Sequence, residues 1–431
     1  MQQRAAGVRG AQKRPARRLP LHSSTRSQVR GVQLGQEPRP IDRACRPVHA
    51  VWELTLACDL RCRHCGSRAG RARPDELSLG EALDLVEQLA DFGVQEVTLI
   101  GGEVYLYRGW RQVARAIAAR GISCAMVSGG RGLSPSVARQ AREAGVQSVS
   151  VSIDGLEATH DALRGVDGAY RAARAALENC RTVGLPVALN TQVNRENLAQ
   201  LDALCDLLLV EGCHGWQLMM TVPAGQAADD AQLPLQPGDM VPLFSALERI
   251  AGRCAEAGVK FLPGNNIGYF GPLESRLRRQ LRDSCDISCR AGRSTLGIES
   301  SGDIKGCPSL PTRGYAGANI RDHRLQAIWE RSDALRFMRD RSVERLWGFC
   351  RSCYYAEACH GGCSWTATSL FGRPGNNPYC HHRVLELARR GLRERLLLRE
   401  RAPGQAFDHG RWELVVEEMT ESQESTCPKT P

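Results

Sequence analysis

Residues 57–67 read ACDLRCRHCGS and set Cys58, Cys62 and Cys65 in the order C-x3-C-x2-C. Three thiols fall one short of the four closed ligands of a structural zinc site, and His64, wedged between two of them, is badly placed to serve the same metal. Thiolates on short loops also hold iron-sulfur clusters. A 4Fe-4S cluster ligated at only three irons keeps its fourth open to a small molecule, and that reading is preferred over zinc or inert core thiols.

Outward from this loop the chain alternates two periods. The apolar run VHAVWELTL (48–56) leads into the cysteines, and SLGEALDLVEQLADFG (78–93) follows with Ser78 and Glu81 in capping-box spacing. VQEVTLI, ISCAMVSG, VQSVSVSI, LPVALNTQV and HGWQLMMTV then alternate with helical patterns up to about residue 222. Six such units predict an α/β fold, an open or partial barrel of parallel strands with helical crossovers, whose site lies at the C-terminal strand ends. A helix SALERIAGRCAEAG and a strand VKFL close this domain near residue 262. The expected organisation is a basic, disordered arm over 1–47, the barrel over 48–262, a small cysteine-rich α+β domain over 263–390, and a charged C-terminal helix and tail over 391–431.

The formal net charge of +10 does not point to nucleic acid, because residues 1–50 alone carry +9 and the rest is nearly neutral. No apolar run approaches the roughly 18 residues of a membrane span, and no secretory h-region opens the chain. A cytoplasmic protein is expected, with no membrane or nucleic-acid partner. In a reducing compartment the clustering of many of the 18 cysteines suggests metal rather than disulfides. Cys124, Cys180, Cys205, Cys213 and Cys254 sit in apolar patterns and are expected in the core.

The C-x3-C-x2-C loop after the first strand of a strand-helix repeat resembles the signature of the radical SAM superfamily, with its partial (β/α)6 barrel. The resemblance implies that Gly101, Gly102 and Glu103, directly after the second strand, hold the amino group of S-adenosylmethionine (SAM). It implies further that Ser152 in SVSVSIDG and Arg164 in HDALRG contact the SAM carboxylate, for which a guanidinium fork is suited.

A second array runs Cys289, Gly302, Cys307, Cys350, Cys353, Cys359, Cys363 and Cys380. Its spacing resembles the seven-cysteine SPASM pattern, with two four-thiolate zinc sites as the plainer alternative. Cys285, four residues before Cys289, is the candidate for an eighth ligand. By resemblance to sulfatase-maturing relatives, Cys285, Cys289, Cys307 and Cys363 would bind one auxiliary 4Fe-4S cluster, and Cys350, Cys353, Cys359 and Cys380 the other. Metal would then supply folding energy that a thin core lacks.

The family's shared chemistry is reductive cleavage of SAM to a 5'-deoxyadenosyl radical that abstracts hydrogen from carbon. Its SPASM members imply oxidative modification of a ribosomally made peptide or protein side chain, with an external one-electron donor such as a flavodoxin or ferredoxin. The first 47 residues are too short and polar for a peptide-recognition winged helix, so a separate leader-peptide-binding protein is expected. Pro308 stands where formylglycine-forming relatives carry Asp, which disfavours sulfatase maturation; Asp303 has no alignment to that role. The alternatives are modification of a small molecule such as a tetrapyrrole side chain, and a non-catalytic iron-sulfur carrier or scaffold. The loops 263–272 and 375–383 are candidates for the substrate mouth, against a plainer reading as polar turns. His381 and His382 stay outside the catalytic set, whose acid, base or hydrogen donor the sequence does not select.

Overall fold

The computed structural model describes Ser27 and residues 29–35, 37–268, 271–278 and 289–419. Seven strands run parallel in chain order: β1 (His49–Glu53), β2 (Glu96–Ile100), β3 (Ser123–Ser128), β4 (Ser148–Ser152), β5 (Val187–Val193), β6 (Gly215–Met220) and β7 (Lys260–Pro263). Helices Leu79–Asp91, Trp110–Ala119, Pro135–Glu143, Ala169–Thr182, Leu201–Val210 and Met240–Glu256 lie between them. The first of these opens with the expected capping box, Ser78 and Glu81 each bonding the other's backbone N–H.

Alternate strand residues supply the core. In β3 the buried positions are Cys124, Met126 and Ser128, and Ala50, Trp52, Val97, Leu99, Val149 and Val151 are at most 1% exposed. Each fully buried large aliphatic side chain is worth about 1.5–3 kcal/mol. The five interior cysteines expected there are all buried.

The sheet does not stop where the sequence rhythm does. β8 (Thr295–Ile298) pairs in parallel with β1 on the side away from β2, and β9 (Asp303–Lys305) and β10 (Ala316–Asn319) continue antiparallel. Ten strands therefore form one open sheet, with β10 and β7 at its edges. This carries the cysteine-rich region to the flank of β1, beside the first cysteine loop.

Both termini depart from expectation. Within the arm assigned to 1–47, a short helix Pro40–Ala44 packs on the body because Asp42, fully buried, meets three guanidiniums: Arg39 at 2.9 Å, Arg336 at 3.0 Å and Arg339 at 3.2 Å. Residues 1–26 lie outside the described residues. Over 391–419 the chain forms no helix but a hairpin of β11 (Leu392–Glu400) and β12 (Arg411–Glu418). Opposite charges meet across it, Arg393 with Glu417 at 2.7 Å and Arg399 with Glu413, which favours the paired strands.

Below β1 and β8 lies a buried charge cluster. Lys305 Nζ is 2.7 Å from Glu299 Oε1 and donates to the Leu310 carbonyl, while Arg73 Nη1 is 2.7 Å from Glu299 Oε2. Burial pushes the Glu299 carboxyl up, but Lys305 and Arg73 outweigh it and hold it well below the usual carboxylate range. Lys305→Met leaves Glu299 buried with one partner fewer, an expected loss of about 3 kcal/mol, read as a lower denaturation midpoint at pH 7. A lowered carboxyl stabilises fully above its unfolded value of about 4.5 and less as pH falls through the folded value, so the gap to wild type narrows toward pH 3.

Candidate functional site

The cysteine loop leaves the C-terminal end of β1 and is fastened on three sides. Arg61 N and Arg63 N donate to the carbonyls of Arg164 (3.0 Å) and Leu163 (2.8 Å), at the end of helix Glu157–Arg164. Gln226 N donates to Cys65 O (2.9 Å) and Phe407 N to Gly66 O (2.8 Å). From β2, Gly102 N and Glu103 N donate to Thr55 O (2.7 Å) and Ala57 O (2.8 Å). This approach requires glycine, since a Cβ on Gly102 would lie 2.1 Å from Ala57 O.

Each sulfur of the triad has a donor: Leu60 N at 3.4 Å from Cys58 Sγ, Ala69 N at 3.3 Å from Cys65 Sγ, and Arg164 Nη1 at 3.6 Å from Cys62 Sγ. Burial pushes the Cys62 thiol up to about 11 against the opposing charge of Arg164, and raises Cys58 further. Burial thus favours the neutral thiols, which would lose their protons to solvent as a metal takes the sulfurs.

A cavity of about 250 Å³ gathers Cys58, Cys62, Cys65, Gly101, Gly102, Glu103, Ser152 and Arg164 on its lining. The structure therefore brings together the whole first set read from the sequence. Glu103 is buried, accepting from Ser128 Oγ and Gly129 N, both at 2.7 Å. Burial pushes its carboxyl up to about 7, with those two bonds opposing. Arg164 Nε is buried with no hydrogen-bond partner among the described residues.

Of the second array, Cys350, Cys353, Cys359 and Cys380 line one small pocket with Phe349, Tyr355 and His382. Cys289 and Cys363 are close enough to raise the Cys307 thiol, after the larger effect of burial. Cys285 lies outside the described residues. Among those residues, the trio of potential ligand atoms within 4.8 Å of one another is Cys58, Asp59 and Glu103. A single zinc would draw thiolates to about 3.8 Å apart, from Zn–S bonds of about 2.3 Å in a tetrahedron. Among the described residues no cysteine trio has its sulfurs all within 4.8 Å, so none is preset for a single zinc.

Several wall residues carry no sequence signal of their own. Ser128 ends β3, and Glu53 ends β1 with Ser300 Oγ at 3.2 Å and Arg73 Nη2 at 3.6 Å. The wall also includes Pro308, Ser309, Trp365 and Phe407, brought in from the cysteine-rich region and the C-terminal hairpin. Asp303 is not on this lining; it is bound to Ser27, Ser301 and Asn319. No described residue of 263–272 or 375–383 lines the cavity either. Asn266 holds the Met220 backbone, His381 stacks on Phe244 at 4.2 Å, and His382 sits edge-on to Tyr355.

The model of the radical SAM superfamily matches residues 52–208. Mycofactocin maturase MftC of Mycobacterium tuberculosis (strain ATCC 25618 / H37Rv) is 30% identical over 394 residues, covering 89% of this chain and 94% of the relative. The chain belongs to the radical SAM superfamily. Within it, the SPASM iron-sulfur cluster-binding domain matches residues 289–354, so this is a radical SAM/SPASM enzyme. The AdoMet-dependent heme synthase of Methanosarcina barkeri is 28% identical over 342 residues, 77% of this chain and 96% of that one. Streptococcus suis SuiB, in a structure bound to S-adenosylmethionine, shares the radical SAM fold with a TM-score of 0.61 at 17% identity, over 78% of this chain and 76% of that one.

Proposed function

We propose that this radical SAM/SPASM enzyme oxidatively modifies a ribosomally made peptide or a protein side chain. Convergence of the cysteine triad, Gly101-Gly102-Glu103, Ser152 and Arg164 on one cavity carries the cofactor part of that reading. Cys58, Cys62 and Cys65 would hold a cluster with one open iron. Glu103 and the backbone of Gly101 and Gly102 would take the SAM amino group, with Ser152 and Arg164 on its carboxylate. Bound there, the cluster and SAM would supply the radical chemistry that abstracts hydrogen from an unactivated carbon.

The protein's own part is placement and exclusion of water. Glu103 must be ionised to pair with an ammonium, and its bonds to Ser128 and Gly129 aid this. Pro308, Ser309, Trp365 and Phe407 would face the substrate, with the two auxiliary clusters on Cys285, Cys289, Cys307 and Cys363 and on Cys350, Cys353, Cys359 and Cys380 behind them. An external one-electron donor of the flavodoxin or ferredoxin kind and a separate leader-peptide-binding protein complete the proposed system, in the cytoplasm. Among the described residues, no helix is long and apolar enough to cross a membrane.

The peptide reading is favoured because the likeness to mycofactocin maturase MftC spans 89% of this chain, against 77% for the heme synthase. The second reading, a tetrapyrrole substrate, draws on that heme synthase. Anaerobically reconstituted enzyme with SAM, reductant and a peptide encoded beside its gene is expected to form 5'-deoxyadenosine together with a shifted peptide mass. Deoxyadenosine with an unchanged peptide, and a changed tetrapyrrole in the parallel reaction, would decide for the second reading.

A further inference from the structure

We propose that Asp154 is the positioning residue of the cofactor site: by gripping Arg164 and His64 together it aims the guanidinium at the cavity and thereby sets the affinity for SAM. The inference rests on the reading of the cavity as the SAM site and assigns a role to a residue outside the cysteine, glycine and Ser152 set.

Asp154 follows β4 by two residues and is fully buried. Its Oδ2 lies 2.5 Å from Arg164 Nη2 and 2.9 Å from His64 Nε2. Its Oδ1 accepts from Gln192 N on β5 at 2.8 Å. Its backbone is held as well, the carbonyl accepting from Asn197 Nδ2 at 2.6 Å and the N–H donating to His160 Nδ1 at 3.1 Å. The carboxylate is thus an anchored fixture of the sheet, and the two cationic or polar groups it meets are the ones it orients.

Arg164 and His64 both line the cavity. With Nη2 on Asp154, the guanidinium is left with Nη1 at 3.6 Å from Cys62 Sγ and with Nε buried and unpartnered. Both ring nitrogens of His64 and Asp154 Oδ2 itself are buried with no well-aligned hydrogen bond among the described residues, so Asp154 meets His64 and Arg164 at ion-pair distance. A long arginine side chain loses rotamer freedom when ordered, and the ion pair with Asp154 restricts it before SAM arrives. Without the carboxylate, Arg164 would turn toward Cys62 or out of the site, and preorganisation for the SAM carboxylate would be lost.

The test uses full-length, reconstituted enzyme. Asp154→Asn keeps the shape and removes the charge. Iron per chain, the SAM dissociation constant by equilibrium dialysis, and the EPR change of the reduced cluster on adding SAM are compared with wild type. The expected result is unchanged iron, at least tenfold weaker SAM binding and an altered EPR response. In an Arg164→Gln background the same substitution should cost less than threefold, because its effect passes through Arg164. Affinity within twofold of wild type, or a full tenfold loss persisting in that background, overturns the proposal. If Asp154→Asn loses iron, Arg164→Lys is measured instead: it keeps the charge but not the fork, and unchanged SAM affinity there also overturns the proposal. Wild-type protein that binds no SAM at all removes the cofactor reading and this inference with it, an outcome distinct from failure of Asp154 alone.

Discussion

Replacing Cys62 by alanine is expected to reduce 5'-deoxyadenosine formation to the enzyme-free level, at least about a thousandfold, or ~4 kcal/mol of barrier. Cys62 sits at the middle of the triad, in the cavity, with Arg164 Nη1 as its donor. Two thiolates cannot retain a cluster that three hold only incompletely, and the loop has no spare ligand to substitute. His64 Nε2 lies 2.9 Å from Asp154, and Asp59 accepts from Tyr105 Oη at 3.1 Å. No described cysteine of the second array lines this cavity, so iron should fall by about four atoms per chain rather than to zero. The same assay on Cys124→Ala, a buried core thiol away from the cavity, is expected to show near-normal deoxyadenosine.

Gly102→Ala carries the second large effect, through backbone geometry alone. A Cβ there would lie 2.1 Å from Ala57 O, 2.6 Å from Ala57 C and 2.8 Å from Leu56 O. All three are main-chain atoms of the cysteine loop, so no rotamer change relieves the clash. The loop must move away from β2 and break the bonds from Gly102 N to Thr55 O and from Glu103 N to Ala57 O. Overpacking of this kind costs about 1–3 kcal/mol, and because the displaced segment joins the cluster loop to the amino-group site, most of it should appear in SAM binding. The expected change is about a hundredfold in dissociation constant, or ~2.7 kcal/mol. Gly80→Ala is the control: a Cβ there meets nothing within 4 Å, and helix propensity favours alanine.

The proposed cofactor residues were readable in the sequence because a parallel sheet converts order along the chain into proximity. Cys58, Gly102 and Ser152 follow or end β1, β2 and β4, so the parallel order brings the residues singled out by the resemblance to one edge. The opposite wall was not readable. Phe407 meets the cysteine loop through its backbone N–H on Gly66 O, a contact that joins segments hundreds of residues apart and leaves no local pattern. The C-terminal hairpin was missed because LRERLLLRE has the charge and leucine content of a helix. Its strand character comes from β12, whose glutamates stand opposite its arginines. The net charge of the basic N-terminal segment reads as an arm, yet Asp42 fixes its end to Arg336 and Arg339. A charge count cannot show which single carboxylate finds buried partners. Asp154 was visible in SVSVSIDG, but its importance lies in meeting His64 and Arg164 at once, which only the fold reveals.

The central claim is that the Cys58, Cys62 and Cys65 loop holds a cluster whose open iron binds SAM through its amino and carboxylate groups. The most direct measurement is ENDOR spectroscopy of the reduced, reconstituted enzyme with SAM labelled by 15N at the amine and 17O at the carboxylate. The account expects resolved hyperfine couplings from both labels, and their disappearance in Cys62→Ala. Wild-type enzyme with a full complement of iron and no coupling to either label would contradict it.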